Sequence, residues 1–394
     1  MSYDKKKFNK ISDRIKSIDT MLTEKDIEPM FNFKNKSIVD EISTQKGDIR
    51  ESMGKQYKDF NKVIESLGGK LLYIKSGSTG HTFKGVYPDD KDNQKPNYAV
   101  KVVAYPKREK YGDLYNSKRP ENAELMMIKL LSFFVTNKQT PHIILPIATF
   151  NTSIKTFVNL PKDNIVKNKK FDQFVKRYKR KEYYSNVSVL ISEWADSGDL
   201  LDYIRKNYQN FSLKHWRVII FQILSVLSVI QAKYPSFRHN DMKANNILVN
   251  NIAKSQSNNN FQYKINGQIY VVPNIGIQIK LWDFDFACIP DKVDNCKVEA
   301  EWTSKINVIP KKNRYYDIHY FFNTLTRKGF FPQFYTAPEI PDKIKKFVKR
   351  IIPAKYRSGE NIAERGRLLV DDEYLTPDEI IKTDKLFKPM RINS

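Results

Sequence analysis

The chain has 394 residues, of which 40% are hydrophobic and 13% aromatic, enough apolar material for a substantial core and for a globular protein of one to three domains. Lys and Arg number 68 against 44 Asp and Glu, a formal charge of +24; it favours phosphates, acidic proteins, nucleic acid or anionic membrane as partners, unless the lysines merely coat solvated faces. Two cysteines, Cys288 and Cys296, are too few for a disulfide framework and lack the Cys/His spacing of a tetrahedral zinc site, so a reducing compartment is expected.

Residues 1–60 are polar, Lys-rich and weakly periodic, which predicts a basic N-terminal extension, partly helical or mobile. Its start, "MSYDKKKFNK", has no apolar run of the kind a secretory signal carries. From "GGKLLYIKSGSTGHTFKGVY" through "NYAVKVVAYP", alternating apolar runs cut by Gly, Asp and Pro predict three antiparallel strands. The spacing of "PENAELMMIKLLSFFV" then becomes helical. "HIILPIATF" and "VSVLISEWA" return to the strand pattern. Between them, residues 151–186 hold "KNKKFDQFVKRYKRKEYY", a basic insertion whose composition fits an exposed excursion. Beyond Ala195, Gly198 is placed at a turn before "LLDYIRKNY", and Ser212 is a plausible N-cap for the long helix "LKHWRVIIFQILSVLSVIQAK". Its apolar stretch Val218–Ile230 is interrupted by Gln and Ser and is too short to span a bilayer, so a core helix and no membrane span are expected. "FQYKINGQIYVV" predicts a hairpin turning at Asn266-Gly267, because a type I′ turn needs positive φ at both central positions. "IQIKLWDFDFA" is a buried strand ending in two carboxylates, and the tail beyond about residue 355 has no strong periodicity. No nucleic-acid-binding signature is present, so only salt-sensitive, sequence-blind association with nucleic acid is expected.

The chemistry concentrates in "FRHNDMKANNILVN", where a carboxylate, an ammonium and an amide stand within six residues. Phosphoryl transfer asks a protein for charge and position rather than covalent help. Asp241 can accept the proton of an attacking hydroxyl, Lys243 can neutralise phosphoryl oxygens, and Asn246 can offer a neutral oxygen to magnesium. Asp283 adds the hard anionic oxygen that this ion prefers.

The spacing His239, Asp241, Lys243, Asn246 resembles the catalytic loop of the eukaryotic protein-kinase superfamily, and "WDFDFA" resembles its metal-binding segment. "KSGSTGHTFKGV" resembles the Gly-rich loop, with Gly77 and Gly80 at two glycine positions, Lys75 where the first is usual and Thr82 where a Val is usual. "YAVKVV" supplies Lys101, which the resemblance assigns to the α/β-phosphates, with Glu124 as its helix partner and Glu121 as the alternative. "LISEWADSGDL" resembles the connector between lobes: Ser192 as gatekeeper, Glu193 to Ala195 presenting backbone groups to adenine, and Asp199 near the ribose. More narrowly, "LWDFDFACI", the hairpin before it and "NRYYDIHYFFNTL" resemble the late serine/threonine kinases of poxviruses and their giant DNA virus relatives. In that pattern Asp317 anchors its helix beneath the catalytic loop, and His239 is a packed support for the loop.

The resemblance implies an α+β, two-lobed kinase-like fold, with an N-lobe at 61–193 and a C-lobe with its tail at 194–394. It also implies ATP and Mg²⁺ as cofactors, transfer to Ser or Thr of acidic or viral structural proteins, and residence in virions and host cytoplasm rather than secretion. Two departures bear on activity. Asn240 stands where many kinases have an arginine that grips an activation-loop phosphate, and Asp285 replaces a glycine, removing a left-handed hinge and adding charge near the metals. The alternative readings are a pseudokinase or virion scaffold acting through its basic surface, and a small-molecule phosphotransferase.

Overall fold

A computed structural model describes residues 10–30, 42–77, 79–87, 96–160, 168–252 and 260–392. The chain divides into two compact units. The first comprises Met1–Phe133, Ile144–Trp194 and Asp291–Cys296, the second Phe134–Ile143, Ala195–Pro290 and Lys297–Ser394.

The first unit opens with helices α1 (Ile11–Leu22), α2 (Ile49–Met53) and α3 (Phe60–Leu67). Asp59 caps α3 by accepting the Lys62 N–H at 3.0 Å. Strands β1 (Lys70–Ser76), β2 (Gly80–Val86) and β3 (Tyr98–Pro106) follow, then helix α4 (Pro120–Thr136), β4 (Pro146–Ser153) and β5 (Tyr183–Glu193). They form one five-stranded antiparallel sheet in the order β1-β2-β3-β5-β4. Pro120 starts α4 where a missing N–H costs nothing. Behind it the buried Arg119 donates to the carbonyls of Pro106 and Gly112 at 2.6 and 2.8 Å.

The described part of the first 60 residues is bonded to this sheet. Lys58 N–H donates to the Asn151 carbonyl at 2.9 Å and Asn151 N–H to that of Gln56 at 2.8 Å, while Met30 N–H reaches the Ile147 carbonyl. The segment thereby covers the β4 edge, which would otherwise present unpaired backbone groups. Beneath it the buried Lys55 donates to Tyr105 Oη and Ser188 Oγ, both at 2.7 Å.

In its described residues, 151–160 and 168–186, the insertion is partly buried rather than wholly the exposed excursion that its composition suggested. It contains helices α5 (Lys155–Val158) and α6 (Lys169–Lys179), whose Phe157, Phe171 and Phe174 are buried around the imidazole of His81 on β2. Lys169, Lys170, Lys176 and Lys179 occupy the exposed face. Average polarity conceals the two phenylalanines at helical spacing, Phe171 and Phe174, that bury one face of α6.

The second unit is mainly helical: α7 (Leu200–Asn207), α8 (Leu213–Lys233), α9 (Glu301–Ser304), α10 (Tyr316–Leu325), α11 (Asp342–Ile351) and α12 (Pro377–Thr383). Two ribbons complete it, β6 (Ile247–Asn251) with β9 (Ile277–Leu281), and β7 (Asn260–Ile265) with β8 (Gln268–Pro273). The β7–β8 turn has φ of 46° at Asn266 and 87° at Gly267, as a type I′ turn requires. By length and composition α8 could cross a bilayer, yet 78% of its apolar window is buried within the protein, where it lies against α11, α12 and β7 to β9. The glutamine that interrupts its apolar run has a use there: Gln222 accepts the Ile279 N–H at 2.9 Å and donates to the Ile277 carbonyl at 3.2 Å. The aperiodic tail is also ordered. Thr376 and Glu379 cap α12 reciprocally, and Leu368, Phe387 and Met390 are buried. The architecture is α+β, with a small antiparallel sheet and one long helix in the first unit and a larger helical second unit, as expected for a kinase-like fold.

Candidate active site

In the first unit, Lys101 stands on β3 between the buried Val100 and Val102, a position where an ammonium needs a partner. It has one: Nζ lies 2.6 Å from Oε1 of Glu124, which α4 projects from its buried face. Glu121, one turn earlier, pairs instead with Arg119 at 3.2 Å. Gly77 N–H donates to the Gly80 carbonyl at 2.7 Å and closes the β1–β2 turn. The need for glycine at position 80 lies in the sheet, because a Cβ there would meet the Val102 carbonyl oxygen at 1.8 Å. At Gly77 no such collision arises.

Ser192 is buried at the end of β5. The Glu193 carboxylate is clasped by the guanidinium of Arg14 on α1, with both contacts at 2.7 Å, and it also accepts the Leu145 N–H at 2.8 Å. The Glu193 N–H donates to the Leu145 carbonyl at 3.1 Å. Glu193 therefore ties the N-terminal helix to the end of the sheet. Ala195, buried, opens the second segment of the second unit, and Asp199 caps α7 by accepting the Asp202 N–H at 2.9 Å.

In the second unit, α8 leads into the loop that carries Asp241. Asp317, fully buried in the first turn of α10, accepts the backbone N–H groups of His239 at 2.7 Å and Asn240 at 2.9 Å. Burial pushes its carboxyl above the ordinary range, against the opposing pull of His239, Arg238 and the two N–H groups. His239 Nε2 faces the Trp282 carbonyl at 3.0 Å, so this histidine is a buried strut for the loop. Asn240 has φ of 63°, a left-handed conformation that Asn tolerates, and its amide donates to the Phe286 carbonyl at 3.1 Å.

Asp241 is only 7% exposed. Its Oδ2 accepts from Lys243 Nζ at 2.9 Å and from Asn246 Nδ2 at 2.8 Å, and Nδ2 also reaches the Asp241 carbonyl at 2.9 Å. The amide nitrogen of Asn246 is thus committed inward, and Oδ1 is the atom it can offer a cation. Ile247 pairs with Leu281 across β6 and β9, so Asn246 and Asp283 emerge from the same end of this ribbon. Asp283 itself has φ of 62°, backbone strain of the kind that accumulates at functional sites. Among the described residues no three His, Cys, Asp or Glu side chains gather as a metal cluster. Two oxygen donors, one anionic and one neutral, suit magnesium, which keeps waters and substrate phosphates in its shell.

The strain expected at Asp285 does not arise, and its charge has a partner. Among the described residues positive φ falls on Asp283 and not on Asp285, so the absence of glycine costs no strain there. Its added charge is paired with the ammonium of Lys297, which lies 3.7 Å from the centre of the Phe286 ring.

The residue that sequence reasoning missed is Arg367, from the tail. It is buried, donates through Nη2 to Asp241 Oδ1 and through Nη1 to the Asn240 carbonyl, and stacks 4.0 Å from the centre of the Tyr320 ring. Burial alone would lower its pKa, but Tyr316, Tyr320 and Asp241 outweigh burial and raise it. Nothing local in "ERGRLLVDDEY" marks this arginine as a partner of Asp241, which lies 126 residues away. Arg14 and Lys297 escaped notice for the same reason.

A family model described as poxvirus serine/threonine protein kinase matches residues 109–370, which include Glu124, Asp241, Asn246, Asp283 and Arg367. The chain belongs to the poxvirus serine/threonine protein kinase family. Among relatives of this kinase-family chain, "Putative serine/threonine-protein kinase R400" of Acanthamoeba polyphaga mimivirus is 51% identical over 346 residues, covering 86% of this chain and 73% of that protein. A second mimivirus protein named as a serine/threonine-protein kinase, R301, is 28% identical over 56% of this chain and 63% of its own length. "Probable serine/threonine-protein kinase 380R" of invertebrate iridescent virus 6 is 37% identical over 28% of this chain and 19% of its own length.

Proposed function

We propose that this member of the viral kinase family is an active ATP-dependent kinase that transfers the γ-phosphoryl group to Ser or Thr hydroxyls of proteins. The observation that carries the reading is the bonding of Asp241: a buried carboxylate fixed by Lys243 and Asn246 on a loop that Asp317 holds from below. Such a carboxylate is oriented before substrate arrives, which is what a general base requires. Lys243 would follow the migrating phosphoryl charge, and Lys101, held by Glu124, would fix the α/β-phosphates. Bound magnesium ATP would supply the transferable group and neutralise its charge, with Asn246 and Asp283 as the protein's metal ligands. Gly77, Gly80, the Glu193–Ala195 backbone and Asp199 are assigned to the nucleotide by position in the motif. Acidic or viral structural proteins suit the basic chain as acceptors, and action in virions and host cytoplasm fits its viral relatives.

The pseudokinase or scaffold reading rests on Asn240, Asp285 and the thinned Gly-rich loop; the first two have ordinary structural partners that leave Asp241 intact. The test is transfer from ATP labelled on its γ-phosphate to mixed acceptor proteins, followed by hydrolysis to phosphoamino acids. Label on Ser or Thr supports the reading. Label on small alcohols alone, or nucleotide-induced thermal stabilisation without any turnover, would refute it.

A further inference from the structure

Asp241 offers about four acceptor positions on its two carboxylate oxygens. Three are used: Oδ2 takes Lys243 and Asn246, and Oδ1 takes Arg367. The remaining position lies on Oδ1, beside the Arg367 guanidinium. An acceptor hydroxyl that gives its proton to Asp241 must therefore approach the oxygen whose direction Arg367 sets.

Arg367 is well placed to set it. The same guanidinium bridges the Asn240 carbonyl and the Asp241 carboxylate, so it fixes the peptide unit and the side chain of the base together. Its own plane is held by Tyr320 and by Tyr316 Oη at 3.3 Å. The backbone that carries it is a short hairpin: Gly366 N–H donates to the Ala363 carbonyl at 2.7 Å, Ala363 N–H to the Arg367 carbonyl at 2.9 Å, and Leu369 N–H to the Asn361 carbonyl at 2.8 Å. Gly366, at φ 88°, makes the bend. Just beyond the hairpin, three consecutive acidic residues moor it: Asp371 to Lys311, Asp372 to Lys355 and Glu373 to Arg314. The loop has the neutral Asn240 next to its base, and the cation comes instead from this moored tail.

We propose that Arg367 is a positioning residue for phosphoryl transfer: it aims Oδ1 of Asp241 at the acceptor hydroxyl and makes the C-terminal hairpin a working part of the site. This inference rests on the reading of Asp241 as the base. The full chain is compared with Arg367→Met and Arg367→Lys by steady-state kinetics, with melting temperatures measured in parallel. Arg367→Met is expected to lower kcat about 10²-fold, the loss typical of a group misplaced by about an ångström, and to leave KM for ATP within about twofold. Arg367→Lys, which keeps the charge but cannot bridge both oxygens, is expected to recover part of kcat at unchanged KM. It also serves if the methionine variant fails to fold. A kcat within about threefold of wild type in both variants would overturn the inference. So would a rise in kcat, which would make the hairpin a plug rather than a support. An inactive wild type overturns the kinase reading and this inference together, whereas an active wild type indifferent to position 367 overturns this inference alone.

Discussion

Replacing Asp317 by Asn tests the foundation of the candidate site. The carboxylate accepts two backbone N–H groups, from His239 at 2.7 Å and Asn240 at 2.9 Å, in a fully buried setting. An amide keeps one oxygen and turns an NH₂ towards the second donor, so one charge-assisted bond is lost and one buried N–H is stranded. A hydrogen bond to a charged group is worth about 1.5–3 kcal/mol, and stranding the same donor without a partner costs about 1–3 kcal/mol, two views of one loss. Part of this is offset because a buried charge is removed, the same burial that pushes the Asp317 carboxyl upward. The net loss should be about 2–3 kcal/mol, which for a domain of this size lowers the melting temperature by about 5–10 °C. Because the stranded donor belongs to the peptide next to Asp241, kcat should fall together with stability. The assay is thermal denaturation followed by circular dichroism, paired with labelled-phosphate transfer well below the melting point. An Asp317→Asn protein that melts within about 2 °C of wild type and retains its kcat would refute the reasoning.

Glu124→Gln should lower kcat/KM for ATP by about 10- to 100-fold by releasing Lys101, whereas Glu121→Gln should lower the melting temperature and leave the kinetics alone; parallel steady-state assays check the contrast. Burial lowers the Lys55 pKa to about 7, and the sign follows: charging a group whose folded pKa is depressed costs stability as pH falls from the ordinary value towards 7. Lys55→Met should therefore raise the melting temperature more at about pH 6 than at about pH 10, and an equal change at both would contradict it. His81, ringed by Phe83, Phe157, Phe171 and Phe174, has its imidazole lowered to about 4 by burial, so its contribution is present above the ordinary histidine pKa and lost as pH falls towards 4. His81→Phe should flatten the fall in melting temperature between about pH 6.5 and pH 4.5, and an unchanged slope would contradict this.

What could be read in the sequence was whatever depends on local order. The alternation of "YAVKVV" gives β3 and the half-buried lysine, the Asn-Gly pair gives its turn, and helical spacing puts Glu124 one turn past Glu121 on the packed face. Asp317 could be read only through resemblance, since no periodicity identifies the N–H groups it will accept. The pairings of Arg367 with Asp241, Lys297 with Asp285 and Arg14 with Glu193 were not legible. Each is chosen by tertiary packing between segments of unremarkable composition, and a charged residue in such a segment looks like any solvated one. The aromatics of α6 were hidden for a related reason: seven Lys and Arg across Lys169–Lys181 dominate the composition, while two phenylalanines, Phe171 and Phe174, decide what is buried.

The central claim is that Asp241 accepts the proton in phosphoryl transfer, and its most direct measurement is kcat for wild type and Asp241→Asn at saturating ATP, with the nucleotide-induced melting shift recorded for both. The account predicts that the variant keeps the shift and loses kcat by about 10²- to 10⁴-fold. Equal turnover by the two proteins would contradict it.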